Sequence, residues 1–328
     1  MFNSIDTHLA AVESLMQRLS IGDMREIIGE VAVNHLNGGG KRLRARLALA
    51  ATEALGGKAE DAVGWAAACE LLHNATLVHD DLQDGDKLRR GKPTVWVEHG
   101  MAHAINAGDL LLMLPFTAVE HATVSDGVRW HLCRVIADRA TAVIRGQAAE
   151  MIINDACDAD RQKYIAAITG KTSALFELPV EGAALIAGRD AAVAKRLAAP
   201  FRQLGMLFQM QDDILDLYGD KGRNAVGSDL REGKISALVV EHLALHPDDA
   251  PWLKTILQTD RQATADSDVA MAIAKMRDGG ALGAVREHIR TITTRLKNAD
   301  DLSDEPQLAA LINELVDVIL QPIAHVMD

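Results

Sequence analysis

The sequence predicts an all-α fold, a single-domain helical bundle, and three observations carry that expectation. Apolar residues recur at spacings of three and four, as Ile136, Ala140, Val143, Ile144 and Met151 do along one face. Alanine appears in nearly every block of ten, while aromatic residues make up 3% and prolines number 8, a balance that favours helix over sheet. Alternation of the kind that marks a strand is hard to find. In order along the chain, the periodicity predicts helices over 5–19, 40–56, 60–84, 97–122, 127–154, 172–187, 190–217, 234–246, 279–297 and 306–325. Breakers separate them: NGGG at 37–40, GG at 56–57, DGDKLRRGKPT at 84–94 and GDKGRNAVGSDLREG at 219–233. With 328 residues, 48% of them hydrophobic, a sizeable core is available. No polar linker and no repeat of solenoid period interrupts the chain, so one domain over 1–328 is expected.

Composition narrows the function. Lys and Arg total 34 against 46 Asp and Glu, a net charge of −12 that argues against broad nucleic-acid binding. Cys69, Cys133 and Cys157 are odd in number and not closely paired, which speaks against a disulfide framework and for a reducing cytoplasm. The opening MFNSIDTHLAAVES has no basic leader before an apolar run, so export is not expected. The greasiest stretch, Leu110 to Phe116, falls far short of the roughly 20 residues of a membrane span. A soluble protein, open to peripheral membrane contact, is the expectation.

Two segments share Asp-Asp-x-x-Asp at the end of an apolar helix: HDDLQD at 79–84 and QDDILD at 211–216. On a helix Asp80 and Asp84 share a face, as do Asp212 and Asp216. Two carboxylates about 6 Å apart repel by roughly 2–3 kcal/mol at an effective dielectric near 20, and a helix C-terminus adds to that cost. A divalent cation reverses the sign, and hard oxygen ligands suit Mg²⁺ shared with a phosphate substrate. The ordinary alternative, a solvated acidic helix end, explains one such segment better than two.

Basic residues cluster beside glycine: Lys41, Arg42, Arg44 and Arg46; Lys87, Arg89, Arg90 and Lys92; Lys221 and Arg223. Amides of the Gly38-Gly39-Gly40 turn and the next helix N-terminus can approach an anion. Lys41 and Arg44, at i and i+3, can face one ligand, whereas Arg42 and Arg46 read as solubilising surface. Gly170-Lys171-Thr172 is no nucleotide loop, because Ile165 stands where glycine is required and no strand precedes it. His99 and His103 lack the intervening glutamate of a zinc protease.

Taken together, GGGKRLR at 38–44, ELLHNATLVHDDLQDGDKLRRGKPT at 70–94, GKTSALFELP at 170–179, FQMQDDILDLYGD at 208–220 and GSDLREGK at 227–234 resemble the trans-type polyprenyl diphosphate synthases. The similarity runs from about residue 30 to 240. The resemblance implies an all-α fold around a deep central cavity, usually a homodimer, that joins isopentenyl diphosphate head-to-tail to an allylic diphosphate. It implies Mg²⁺, three ions bridging diphosphate, held by Asp80, Asp84 and Asp212 with Asp81, Asp213 and Asp216 in support. By the same matching Arg89, Lys171 and Lys234 contact the allylic diphosphate, while Lys41, Arg44, His73 and Arg90 hold isopentenyl diphosphate. Lys171, Thr172 and Gln209 match catalytic positions, the last two beside the reacting carbons.

Below Asp80 on its helix come Thr76 and Leu72, with Ala75 flanking, a mostly small wall. The resembling family closes a short cavity with an aromatic residue where Ala75 stands, so a product of geranylgeranyl length or longer is expected. Two positions depart from the family pattern: Ala45 replaces a common proline, and Asn224 replaces a phosphate-binding lysine, with Lys221 or Arg223 as substitutes. A class I terpene cyclase is the nearest rival, and a non-catalytic isoprenoid-binding partner subunit the rival of another class. The second Asp-Asp-x-x-Asp counts against the first, and retention of all six acids against the other.

Overall fold

The computed structural model describes residues 5–22, 26–219, 226–299 and 302–327. Lys221, Arg223 and Asn224 therefore lie outside the described residues. The helices are α1 (Asp6–Ile21), α2 (Ile27–Leu36), α3 (Leu43–Ala54), α4 (Val63–Gln83), α5 (Val95–His99), α6 (Met101–Ala118), α7 (Asp126–Ala156), α8 (Arg161–Ile168), α9 (Ala174–Ile186) and α10 (Ala191–Tyr218). There follow α11 (Ser228–Arg231), α12 (Ala237–Leu245), α13 (Ala250–Leu257), α14 (Asp266–Asp278), α15 (Ala281–Lys297), α16 (Pro306–Leu320) and α17 (Ala324–Met327). Among the described residues the one sheet pairs β1 (Leu88–Arg89) with β2 (Lys92–Pro93), antiparallel. The all-α expectation therefore holds.

The chain gathers into two compact units. One comprises Met1–Ala140, Leu175–Ala199 and Asp301–Leu311; the other Thr141–Ala174, Pro200–Asp300 and Ile312–Asp328. In the first, α4 packs between α3 and α6 through a run of small and apolar residues, Ala66, Ala67, Ala68, Leu71 and Leu72, all fully buried. Small side chains let helices approach closely, and one large ring fills the remaining gap: Trp65 donates from Nε1 to the Pro179 carbonyl at 3.0 Å. Glycine is needed beside it, because a Cβ on Gly182 would lie 2.0 Å from the indole. In the second unit α12 packs against α15, whose Val285, Ile289, Ile292 and Leu296 form one buried stripe.

Several sequence expectations change. The helix expected over 97–122 is broken at Gly100 (φ +85°) into α5 and α6. Two helical stretches, Met101–His121 and Pro306–Met327, are long and apolar enough to cross a membrane by length and composition, contrary to the reading from Leu110–Phe116. In α6 the buried residues Ala104, Ala107, Gly108, Leu111, Pro115 and Ala118 follow helical spacing, the pattern of a helix that gives one face to a protein core.

Candidate functional site

Helix α4 carries the first acidic segment. The Asp84 amide donates to the Asp80 carbonyl at 2.8 Å, so these two acids stand one turn apart, both half-buried. Asp81 points inward, 1% exposed, where its Oδ1 accepts from Arg89 Nε at 2.7 Å and Nη2 at 2.5 Å. Burial raises the Asp81 pKa against the pull of that guanidinium.

The basic segment after α4 is a hairpin rather than an open loop. Leu88 pairs with Pro93 and Arg89 with Lys92, leaving Arg90 and Gly91 as a two-residue turn with φ +54° and +77°. Positive φ at both positions is the type I′ arrangement that matches strand twist. Its ends are tied down at the Asp86 carbonyl, which accepts from Thr94 Oγ1 at 2.7 Å and Trp96 Nε1 at 2.8 Å. The turn carries the Arg90 guanidinium to the Gly39 carbonyl, and a Cβ on Gly40 would sit 2.7 Å from that guanidinium. The glycine run thus makes room for an arginine. A cavity of about 320 Å³ opens here, lined by His35, Gly38, Arg89, Arg90, Lys92 and His99 among others.

Lys41, Arg44 and His73 lie outside that lining. Lys41 is exposed and precedes α3, which begins at Leu43, so the helical i, i+3 argument for Lys41 with Arg44 does not apply. Arg44 is buried over the Phe176 ring, 4.9 Å from its centroid, and burial lowers its pKa to about 10 against the favourable charge of Glu70. Arg42 corrects the surface reading. It is buried with φ +49°, donating from Nη2 to the Leu36 carbonyl at 2.6 Å and from Nε to Glu13 at 3.0 Å, a strut between α2, α1 and the start of α3. His73 is held well below its ordinary pKa by burial first, then by Arg44, Arg89, Arg90 and His35; its Nδ1 is buried without a hydrogen-bond partner. Neutral imidazole beside three guanidinium groups is an arrangement that an anion would relieve. Leu72 and Ala75 are buried, and the Thr76 hydroxyl donates back to the His73 carbonyl at 2.7 Å.

In the second unit Lys171 and Thr172 sit on a π-helical turn, Thr169–Ser173. Such turns displace a side chain from helical register and recur at functional sites. Gly146 permits the turn to pack, since a Cβ there would lie 2.2 Å from the Lys171 nitrogen. Lys171 pairs with Glu150, and Lys234 with Glu232 at 2.8 Å.

Helix α10 ends in the second acidic segment. Asp212 is half-buried, like Asp80. Asp213 is 3% exposed and accepts from Tyr164 Oη at 2.8 Å, Gln209 Nε2 at 2.9 Å and the Ala237 amide at 2.7 Å. Burial, then the charge of Asp229, pushes its pKa up to about 7 despite those donors. Asp216 is also buried, accepting from Ser228 Oγ at 2.6 Å and the Asp229 amide at 3.0 Å, which anchors α11. Gln209 Oε1 accepts from the Thr172 hydroxyl at 2.9 Å, so the two positions expected beside reacting carbons do meet. Sequence reasoning missed Glu70, Glu150, Tyr164 and Glu232; the partners of the first three are 21 or more residues away, and although Glu232 lies two residues from Lys234, an i, i+2 spacing marks no pair.

Among the described residues no group of three or more His, Cys, Asp or Glu side chains is arranged to hold a metal ion by itself. Each segment taken by itself nonetheless has donors of the chemistry that suits Mg²⁺, which takes much of its coordination from phosphate and water: on α4 Asp80 and Asp84, and on α10 Asp212, are half-buried carboxylates with hard oxygens, and Asp81, Asp213 and Asp216 are buried against protein donors.

The profile of the polyprenyl synthetase family matches residues 25–276. The short chain isoprenyl diphosphate synthase of Methanothermobacter thermautotrophicus is 34% identical over 307 residues, 91% of this chain and 93% of that protein. The (2E,6E)-farnesyl diphosphate synthase of Mycobacterium tuberculosis is 33% identical over 296 residues, 87% of this chain and 80% of that one. The crystal structure of geranylgeranyl pyrophosphate synthetase from Pyrococcus horikoshii superposes with a TM-score of 0.85 at 31% identity, covering 96% of this chain and 98% of that one. By family profile, sequence identity and fold, this chain belongs to the polyprenyl synthetase family of prenyltransferases.

Proposed function

We propose that the protein condenses isopentenyl diphosphate head-to-tail with an allylic diphosphate to give an all-trans prenyl diphosphate of geranylgeranyl length or longer. The observation that supports this reading is the hairpin that sets Arg89 on Asp81 and Arg90 on the glycine turn, two guanidinium groups beside an acidic helix end. Asp80, Asp84 and Asp212 would hold Mg²⁺, three ions in all, which neutralises charge on the departing diphosphate. Asp81, Asp213 and Asp216 keep the helix ends in place through their protein partners. Arg89, Lys171 and Lys234 bind the allylic diphosphate; for the two lysines this means exchanging a carboxylate for a phosphate oxygen. Lys41, Arg44, His73 and Arg90 bind isopentenyl diphosphate.

Departure of diphosphate builds about three negative charges on the leaving group, and cations already in place stabilise that state more than the intact ester. The allylic cation accepts the double bond of isopentenyl diphosphate beside Thr172 and Gln209, and the released diphosphate takes the surplus proton. No side chain need act as a strong base. Leu72, Ala75 and Thr76 leave a wall of modest bulk, which supports a longer product; the named relatives span short-chain, farnesyl and geranylgeranyl synthases, so length rests on that wall. We place the enzyme in the cytoplasm as a homodimer, touching membranes peripherally when a hydrophobic product leaves. Purified protein incubated with Mg²⁺, labelled isopentenyl diphosphate and dimethylallyl, geranyl or farnesyl diphosphate should yield longer diphosphates. Hydrocarbon products would instead indicate a cyclase, and absence of turnover a binding subunit.

A further inference from the structure

Four side chains form one directed hydrogen-bond chain inside the second unit. Tyr164, 5% exposed, donates its hydroxyl to Asp213 Oδ2 at 2.8 Å, an oxygen that also accepts the Ala237 amide at 2.7 Å. The other carboxylate oxygen takes Gln209 Nε2 at 2.9 Å, and Gln209 Oε1 takes the Thr172 hydroxyl at 2.9 Å. Direction follows from the contacts: Asp213 Oδ2 already takes two donors and Oδ1 faces the Gln209 nitrogen, so the amide turns its NH₂ toward Asp213 and its oxygen toward the Thr172 hydroxyl. The Thr172 proton is then committed to the amide. What Thr172 can present to a neighbouring group is a pair of oxygen lone pairs, the electron-rich side that suits a developing carbocation.

We infer that Tyr164 is a positioning residue: by clamping Asp213 it fixes the amide of Gln209 and so the direction of the Thr172 hydroxyl. Without the phenol, one donor must hold Oδ2 alone, the carboxylate can rotate, and the amide is free to flip. The inference rests on the proposed function, which places Thr172 and Gln209 beside the reacting carbons. Tyr164 itself touches no substrate in this account.

The test is steady-state kinetics of wild type, Tyr164→Phe, Gln209→Ala and the double variant, with Mg²⁺, isopentenyl diphosphate and an allylic primer. Tyr164→Phe should lower kcat about tenfold, equivalent to about 1.4 kcal/mol, with KM for both diphosphates within about twofold. In the double variant it should cost less than about twofold beyond Gln209→Ala, because the link it supports is already gone. A merely structural loss would multiply in both backgrounds, so the cycle remains informative even where Tyr164→Phe lowers the melting temperature. Multiplying losses, or a Tyr164→Phe enzyme with wild-type kcat, would overturn the inference while an active wild type leaves the parent reading standing. A wild-type protein that makes no prenyl diphosphate overturns both.

Discussion

The acidic ends of α4 and α10 share a sequence pattern but are held by opposite means. In each, the first aspartate is half-buried and the second is buried, 1% exposed for Asp81 and 3% for Asp213. Asp81 faces a cation, Arg89, whereas Asp213 faces a phenol, a side-chain amide and a backbone amide. The first arrangement secures the basic hairpin to the helix end; the second secures the Gln209–Thr172 pair. A repeated motif therefore has two different inward roles, beside the one outward role proposed for Asp80 and Asp212.

The outward role is the place to break the comparison. Asp80→Ala and Asp212→Ala should each reduce kcat by about 10²–10³, as loss of a charge-stabilising group does, with little change in helix content by circular dichroism. Near-normal turnover in either would separate the two segments and count against metal-assisted departure of diphosphate. The inward roles predict unequal stability effects. Arg89→Leu strands a buried carboxylate and should destabilise the fold by about 3 kcal/mol in denaturant titration, whereas Tyr164→Phe, which leaves Asp213 two donors, should cost about 1 kcal/mol. Equal costs would mean that the ion pair and the neutral cage are energetically alike.

A pH series sharpens the difference further. Asp213 has a folded pKa of about 7, raised from 3.8 chiefly by burial, then by Asp229. A carboxyl raised on folding contributes stability below its unfolded pKa and loses it as pH climbs through the folded value. In chelator-containing buffer the melting temperature should therefore decline as pH goes from about 4 to 7, and Asp213→Asn should flatten that decline. Parallel curves for the two proteins would show that Asp213 ionises as an ordinary carboxyl.

Long, periodic helices and the acids on them were legible in the sequence: α10 was expected over 190–217 and spans Ala191–Tyr218, and α4 was expected over 60–84 and spans Val63–Gln83. Helices α2, α8, α13 and α14, of 8 to 13 residues, were not, although α3, α9 and α12 of similar length were. Arg42 was read as surface because spacing records which residues share a face, not which backbone carbonyl a guanidinium can reach. Tyr164 and Asp213 are 49 residues apart, and only tertiary packing makes them partners. The acidic pattern was local and so readable; Tyr164, which holds Asp213, was distant and so was not.

The smallest expected effect concerns the hairpin, which has no counterpart at the end of α10 among the described residues. Its turn needs positive φ at Arg90 and at Gly91, and no atom lies within 4 Å of a Cβ built on Gly91. Gly91→Ala therefore introduces no clash and isolates the backbone cost of holding an L-residue in the left-handed region, about 1 kcal/mol. Because the strain falls on a surface turn, the chain relieves it by opening the hairpin locally rather than by unfolding α4. The global melting temperature should then move by less than about 2 °C, while KM for isopentenyl diphosphate rises about threefold as Arg90 leaves the Gly39 carbonyl part of the time. Binding rather than turnover is then what the opening disturbs, so kcat at saturation should stay within about twofold of wild type. A fall in kcat with KM unchanged would show instead that the hairpin serves the departing diphosphate through Arg89 more than the incoming one through Arg90.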